Sequence, residues 1–126
     1  MSFETILQTI VDDCGGGWSA ALMGLDGIAI AQVQATAGVD GDDPLEGDVT
    51  SAGIEFGRVL AEMTKASDVL GTGPLRESVL TLARAVLVFH AVDDDLMLVL
   101  AMHPDGNLGK ARYLIRRSLM AIRAEL

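Results

Sequence analysis

The segment "WSAALMGLDGIAIAQV", Trp18–Val33, decides the fold. All of it except Ser19, Asp26 and Gln32 is apolar or glycine, and its one charge sits beside Gly27 near the middle. Asp-Gly between two apolar runs supplies the positive-φ pair that a tight hairpin turn prefers, so Trp18–Gly24 and Ile28–Gln34 are expected to pair as antiparallel strands. Strands this apolar need cover from other elements, and the flanking sequence offers it.

Upstream, Ser2 is placed to cap a helix whose apolar residues Phe3, Ile6, Leu7, Ile10, Val11 and Cys14 recur on one helical face. "GGG" at 15–17 ends it. Downstream, Thr36 to Asp48 carries Gly, Pro and five acids without apolar periodicity, and is expected to be a solvated loop. A helix follows over about 50–70. At about 100° per residue, Ala52, Phe56, Val59, Leu60, Met63, Ala66 and Leu70 form its expected buried stripe. "GTGP" at 71–74 terminates it.

"LRESVLTL" at 75–82, "AVLVFHAV" at 85–92 and "LMLVLAM" at 96–102 are three further strands, joined at Ala83-Arg84 and at Asp93–Asp95. The first has mixed polarity and is expected at an edge; the others are apolar on both faces and are expected to be central. A last helix begins near Leu108, with Leu108, Ala111, Ile115, Leu119, Ile122 and Leu126 inward. The order α-β-β-α-β-β-β-α predicts one α/β (α+β) domain over 1–126, a five-stranded antiparallel sheet between helices.

The 126 residues carry a formal net charge of −9, distributed unevenly. Residues 1–57 contain ten acids and no Lys or Arg. Nucleic acid and anionic membrane both require a basic surface, so a protein partner is the better expectation. The longest apolar run, Leu96–Met102, is far short of the roughly 20 residues of a membrane span. With a single cysteine no internal disulfide forms, and a reducing cytoplasm is the expected compartment.

Catalytic signatures are weak throughout. "DGNLGKA" at 105–111 ends in Gly-Lys, but Pro104 and Ala111 stand where a phosphate loop needs glycine and a hydroxyl residue. His90 and His103 lie in or at the end of apolar strands with no companions at metal-ligand spacing. Cys14 falls on an apolar helix face, and the acidic loop lacks the offsets of a calcium loop. No nucleophile-base set can be proposed. The chain is therefore expected to be no enzyme in itself, with no cofactor and no metal.

Two features suggest interaction surface. Gly53, Gly57 and Ala61 recur at i, i+4 and i+8 on the second helix, and each interior glycine costs roughly 1 kcal/mol relative to alanine. Close approach by a second backbone, or packing on the chain's own sheet, would account for them. Arg58 and Lys65 flank this seam. The last helix concentrates Lys110, Arg112, Arg116, Arg117 and Arg123, for which pairing with Glu4, Asp12 or Asp13 on the first helix is expected.

With that order of elements, "LDGIAIA", "SAGIEFGRVLAEM", "ESVLTLARAVLVFHAVDDDLMLVLAM" and "NLGKARYLIRRSLMAI" together resemble the roadblock-type dynein light chain family. The match is nearest to its bacterial members associated with small Ras-like GTPases in gliding motility. The resemblance implies a homodimer in which the third strand pairs with its twin, extending five strands to ten, while the central helix lies beside its copy. The implied dimer contacts are Gly53, Gly57, Ala61, Thr64, Arg76, Ser78 and Leu80. It also implies a Ras-like GTPase partner docked on Ile54, Arg58, Ala61 and Lys65, whose own catalytic loops the dimer positions or activates. A structural adaptor subunit of a signalling or motor-type assembly, without GTPase contact, is the alternative. A small-molecule binding module is disfavoured by the Ala/Leu/Val-rich interior.

Overall fold

The computed structural model describes residues 1–39 and 41–126; Asp40, at the start of the acidic loop, lies outside the described residues. Eight elements follow one another: α1 (Phe3–Asp13), β1 (Gly17–Gly24), β2 (Ala29–Gln34), α2 (Thr50–Leu70), β3 (Glu77–Thr81), β4 (Val86–Ala91), β5 (Leu96–Met102) and α3 (Leu108–Ala124). All strand pairs are antiparallel and the sheet order is β2-β1-β5-β4-β3. The expected order of elements and the expected sheet are both observed.

The hairpin that anchors the fold closes differently from expectation. Gly27 alone takes a positive φ, 88°, while Asp26 does not. The loop is three residues, Leu25 to Gly27, closed by Gly24 N–H donating to Ile28 O at 2.9 Å. Asp26 contributes through its carboxylate, which accepts from Ile28 N–H at 3.1 Å. The extra loop residue is taken up by a register shift between Leu22 and Met23.

Alternation along the strands divides the core into two layers. Ala20, Leu22, Val88, Leu98 and Leu100 face α1 and α3, where Leu7, Ile10, Ile115 and Ile122 meet them. Ala21, Met23, Leu87, Phe89 and Val99 face the other way, under Ala52, Phe56 and Leu60 of α2. Every residue of β5 is buried, as a strand between two helical layers must be. Two of the three helix starts are capped by side chains: Ser2 Oγ accepts from Thr5 N–H at α1, and Asn107 Oδ1 accepts from Lys110 N–H at 3.0 Å at α3, whereas α2 starts after Val49 without one. "DGNLGK" is thus a helix cap.

The acidic loop is less solvated than its composition suggests. Asp43 is buried, its two carboxylate oxygens accepting from Leu45 N–H and Gly47 N–H. Leu45 and Val49 then pack into the α2-side core. An aspartate that closes its own turn is compatible with burial, because its oxygens find backbone donors that water would otherwise supply.

Candidate functional site

The seating of α2 defines the candidate surface. Ala52 and Gly53 are buried against the sheet, while Phe56, Gly57, Leu60 and Thr64 are half-buried on the same face. Phe56 meets Phe89 of β4 at a ring separation of 5.9 Å, and Leu60 packs into the same layer as Leu80 of β3. The expected stripe is therefore rotated. Val59 and Met63 remain 52% and 43% exposed, and Ala66 and Leu70 face solvent, because the glycines and Thr64 take the sheet side.

That rotation has a steric cause. A Cβ on Gly53 would collide with Met23 Sδ and stand 3.0 Å from Met23 Cε, so the helix approaches β1 only through a glycine. A Cβ on Gly57 would meet nothing nearer than Met97 Cε at 3.9 Å. Of the two interior glycines, Gly53 is thus explained by the chain's own sheet and Gly57 is not.

Beyond Leu60, over 61–70, α2 overhangs with no residue fully buried; Thr64 and Ser67 are half-buried. Under this overhang lies an open groove of about 950 Å³. Gly57, Ala61 and Thr64 line its helix side, Arg76 and Ser78 its strand side. Five of the residues singled out for a dimer thus converge on one concavity. Leu80 is half-buried beside the α2-side core, and Gly53 lies beneath α2. Along the groove β3 forms one edge of the sheet, pairing only with β4 among the described residues.

The outward ridge of α2 carries the other set. Ile54, Arg58, Ala61 and Lys65 are all exposed. Arg58 is held by Glu55 at 2.6 Å and Lys65 by Glu62 at 3.2 Å, both i,i+3 pairs on the solvent face. Ile54 lies near the β1–β2 loop, within 3.6 Å of where a Gly27 Cβ would stand. Leu25, Ile28 and Ile30 are exposed by half or more around the same hairpin, an aliphatic patch that strand assignment alone did not flag.

The base of the groove holds the strongest electrostatic feature. Glu77 on β3 accepts from Arg112 Nε at 2.5 Å and Arg116 Nη2 at 3.2 Å, and His90 Nε2 stands 3.8 Å from it. Burial alone would raise the Glu77 carboxyl, but the hydrogen bond and charge of Arg112, joined by Arg116, outweigh it and hold the group below its ordinary value. The expected pairing of α3 bases with α1 acids is corrected here. Arg112 and Arg116 reach the strand edge, Arg123 Nε donates to Val92 O at 2.7 Å, and Asp12 accepts instead from Thr36 N–H at 2.8 Å. An acid inside a strand, with bases one helix turn apart above it, was the available signal.

His90 Nδ1 sits 2.9 Å from Ala91 O, and His103 packs edge-on to Trp18 with ring centroids 5.8 Å apart. Cys14 is fully buried, which pushes its thiol up. Among the described residues, no group of three or more His, Cys, Asp or Glu is placed to hold a metal ion, and no helix is long and apolar enough to cross a membrane.

No family model and no curated protein matches the sequence, but solved structures do. MglC from Myxococcus xanthus is 33% identical, the match covering 100% of both chains at a TM-score of 0.69. The chain belongs to the roadblock-type family. The fold is shared further: a Roadblock/LC7 domain from Streptomyces avermitilis aligns over 99% of this chain and 98% of its own at TM-score 0.79 and 14% identity. The gliding protein MglB from Thermus thermophilus aligns over 91% and 81% at TM-score 0.75 and 20% identity. In this roadblock-type chain, the residues that differ most in role from ordinary core are those of the α2 overhang and the β3 edge.

Proposed function

We propose that this protein, a single domain over 1–126, is a cytoplasmic homodimer that binds a Ras-like small GTPase and regulates or scaffolds it, supplying no nucleotide site of its own. The observation that carries the reading is the unpaired β3 edge beneath the overhanging half of α2. A strand edge with free backbone groups, roofed by a helix with nothing underneath, is completed by an antiparallel copy of itself. Such an interface is isologous, so each residue meets its symmetry partner.

In this arrangement Arg76, Ser78 and Leu80 lie along the strand seam, and Gly57, Ala61 and Thr64 face the groove that the twin fills. Gly53, beneath them, sets the depth at which α2 sits. The paired α2 ridges present Ile54, Arg58 and Lys65 outward, with Ala61 on the border between this ridge and the groove, and the aliphatic patch of Leu25, Ile28 and Ile30 continues that surface from Ile54. A GTPase docked there would have its own catalytic loops held in position, which is how a protein without catalytic residues alters a partner's rate. The membership of MglC and MglB in the same structural group supports a bacterial setting.

The alternative of an adaptor subunit without GTPase contact is favoured by one observation: Arg58 and Lys65 are each paired to an acid one turn away. Neither stands ready as a cation for a transferring phosphoryl group, although exposed pairs of this kind are worth only about 0–1 kcal/mol and open readily.

The test is solution mass by light scattering on the wild type and on Gly57→Arg, paired with GTP turnover by a candidate GTPase. An arginine at 57 has room to extend into the groove without disturbing the sheet. A wild-type dimer split by the substitution supports the seam. A wild-type monomer overturns it. A dimer with no effect on GTP turnover or nucleotide release moves the reading to the adaptor.

A further inference from the structure

The exposed face of α3 is not used by the dimer or the GTPase surface, and its composition is unlike the rest of the protein. Between Leu108 and Ala124 there are five bases and no acid. Ala111, Leu114, Ile115, Leu119 and Ile122 are buried, and at about 100° per residue Tyr113 and Met120 lie opposite them. Their exposures, 53% and 80%, agree. Large, adaptable side chains in the middle of a solvent face are what a protein contact uses as anchors.

Charge flanks this ridge on both sides. On one side Arg112, Arg116 and Arg123 are engaged within the chain, by Glu77 and by Val92 O. On the other, Arg117 stacks over the Tyr113 ring at 5.5 Å, and among the described residues neither Arg117 nor Lys110 has an ion pair. Two bases thus stand beside two apolar anchors with no acid to neutralise them.

We propose that α3 docks an acidic segment of a partner protein, with Tyr113 and Met120 taking its apolar residues and Lys110 and Arg117 its carboxylates. The charge distribution argues for this occupant. The protein carries 18 acids against nine bases, and ten of the acids lie in residues 1–57. An acidic ligand is repelled by most of the surface and attracted to α3, so the field selects the site as well as strengthening it. A flat anionic bilayer fits less well. α1 packs in the same layer as α3 and exposes Glu4, Asp12 and Asp13, which a membrane resting on α3 would also meet, whereas one narrow segment would not. The site is across the sheet from α2, so both surfaces can be occupied at once.

The test uses a fluorescein-labelled peptide of glutamate with leucine at helical spacing, titrated with the full-length protein and read by anisotropy. Saturable binding that falls steeply between low and high salt is expected, weakened about tenfold by Tyr113→Ala or Met120→Ala and abolished by Lys110→Glu with Arg117→Glu. All four side chains are on the solvent face of α3, and circular dichroism confirms that each variant folds. A leucine-free polyglutamate should bind about tenfold more weakly. Absence of binding, binding indifferent to these substitutions, or equal affinity for polyglutamate overturns the proposal. So does tighter binding to phosphatidylserine vesicles through the same residues, which would assign α3 to a membrane.

Discussion

Gly53→Ala and Gly57→Ala are the same chemical change, one helical turn apart, yet the structure predicts different outcomes. Each gains roughly 1 kcal/mol of helix propensity and loses the extra unfolded-state freedom of glycine. At Gly57 the new methyl reaches only ordinary contact with Met97 Cε, 3.9 Å away, so the gain survives. At Gly53 it lands on Met23 Sδ, and Met23, a fully buried residue of β1, must move its thioether within a packed layer to admit it. Overpacking of that kind costs about 1–3 kcal/mol, which cancels or reverses the gain. The two variants should therefore differ by about 1–3 kcal/mol, with Gly57→Ala the more stable. The assay is urea unfolding followed by the fluorescence of Trp18, the one tryptophan and 3% exposed in the native protein. With m of about 1–3 kcal/mol/M, the midpoints should separate by about 1 M. Runs at several protein concentrations separate any change in dimer affinity from a change within the subunit. Equal midpoints would refute the reasoning, since Met23 would then have room and the depth of α2 on β1 would not be set by Gly53.

Two further outcomes follow from burial and charge. Glu77 has its carboxyl held below its ordinary value of 4.5, so the stability it contributes is fully present above that value and lost as pH falls through the lowered folded value. Glu77→Gln should cost about 1–2 kcal/mol at neutral pH, discounted for half-exposed arginines, and its midpoint should converge with the wild type on acidification; a constant gap would assign the loss to packing. Cys14, fully buried with its thiol pushed up, should react with a thiol reagent at the rate of unfolding, so labelling that outpaces unfolding in native buffer would contradict its placement.

The order of elements was legible because each carries a period that only one conformation satisfies. β4 and β5 read as central because both faces are apolar, and the layers confirm why: each strand serves α1 and α3 on one side and α2 on the other. The register of α2 was not legible. Its apolar residues occupy two flanks, and periodicity weighted Val59 and Met63 above two glycines, whereas contact distance against Met23 favoured Gly53. Hydrophobic pattern records what can be buried; it does not record how closely two backbones come. The Glu77 cluster was missed for a related reason. Its partners lie 35 and 39 residues away, and α1, as a neighbouring helix, offered Glu4, Asp12 and Asp13 as competing acids. The groove residues were found only in part by periodicity, which marked Gly57 and Ala61; Arg76 and Ser78 came from the family resemblance.

The overhang of α2 joins these points. Its first half is fixed by Gly53, Phe56 and Leu60 against β1 and β4, and by Val49 and Leu45 packed beneath it. Its second half, from Ala61, is helical without a sheet to bury against, and Val69 and Leu70 are 86% and 75% exposed. A helix half with so little tertiary contact draws its stability from the seated half and from its glycine cap, Gly71 at a φ of 70°. Natural sequences rarely leave two adjacent large aliphatics at a helix end and an unpaired strand edge beside it without cover. In the proposed homodimer a twofold axis at β3 would carry a second overhang back across the first subunit, so that one symmetric partner would cover the strand edge and the groove together. The self-association surface proposed for α2 and β3 is thus separate from α3, where Lys110 and Arg117, without an ion pair among the described residues, stand on the other side of the sheet.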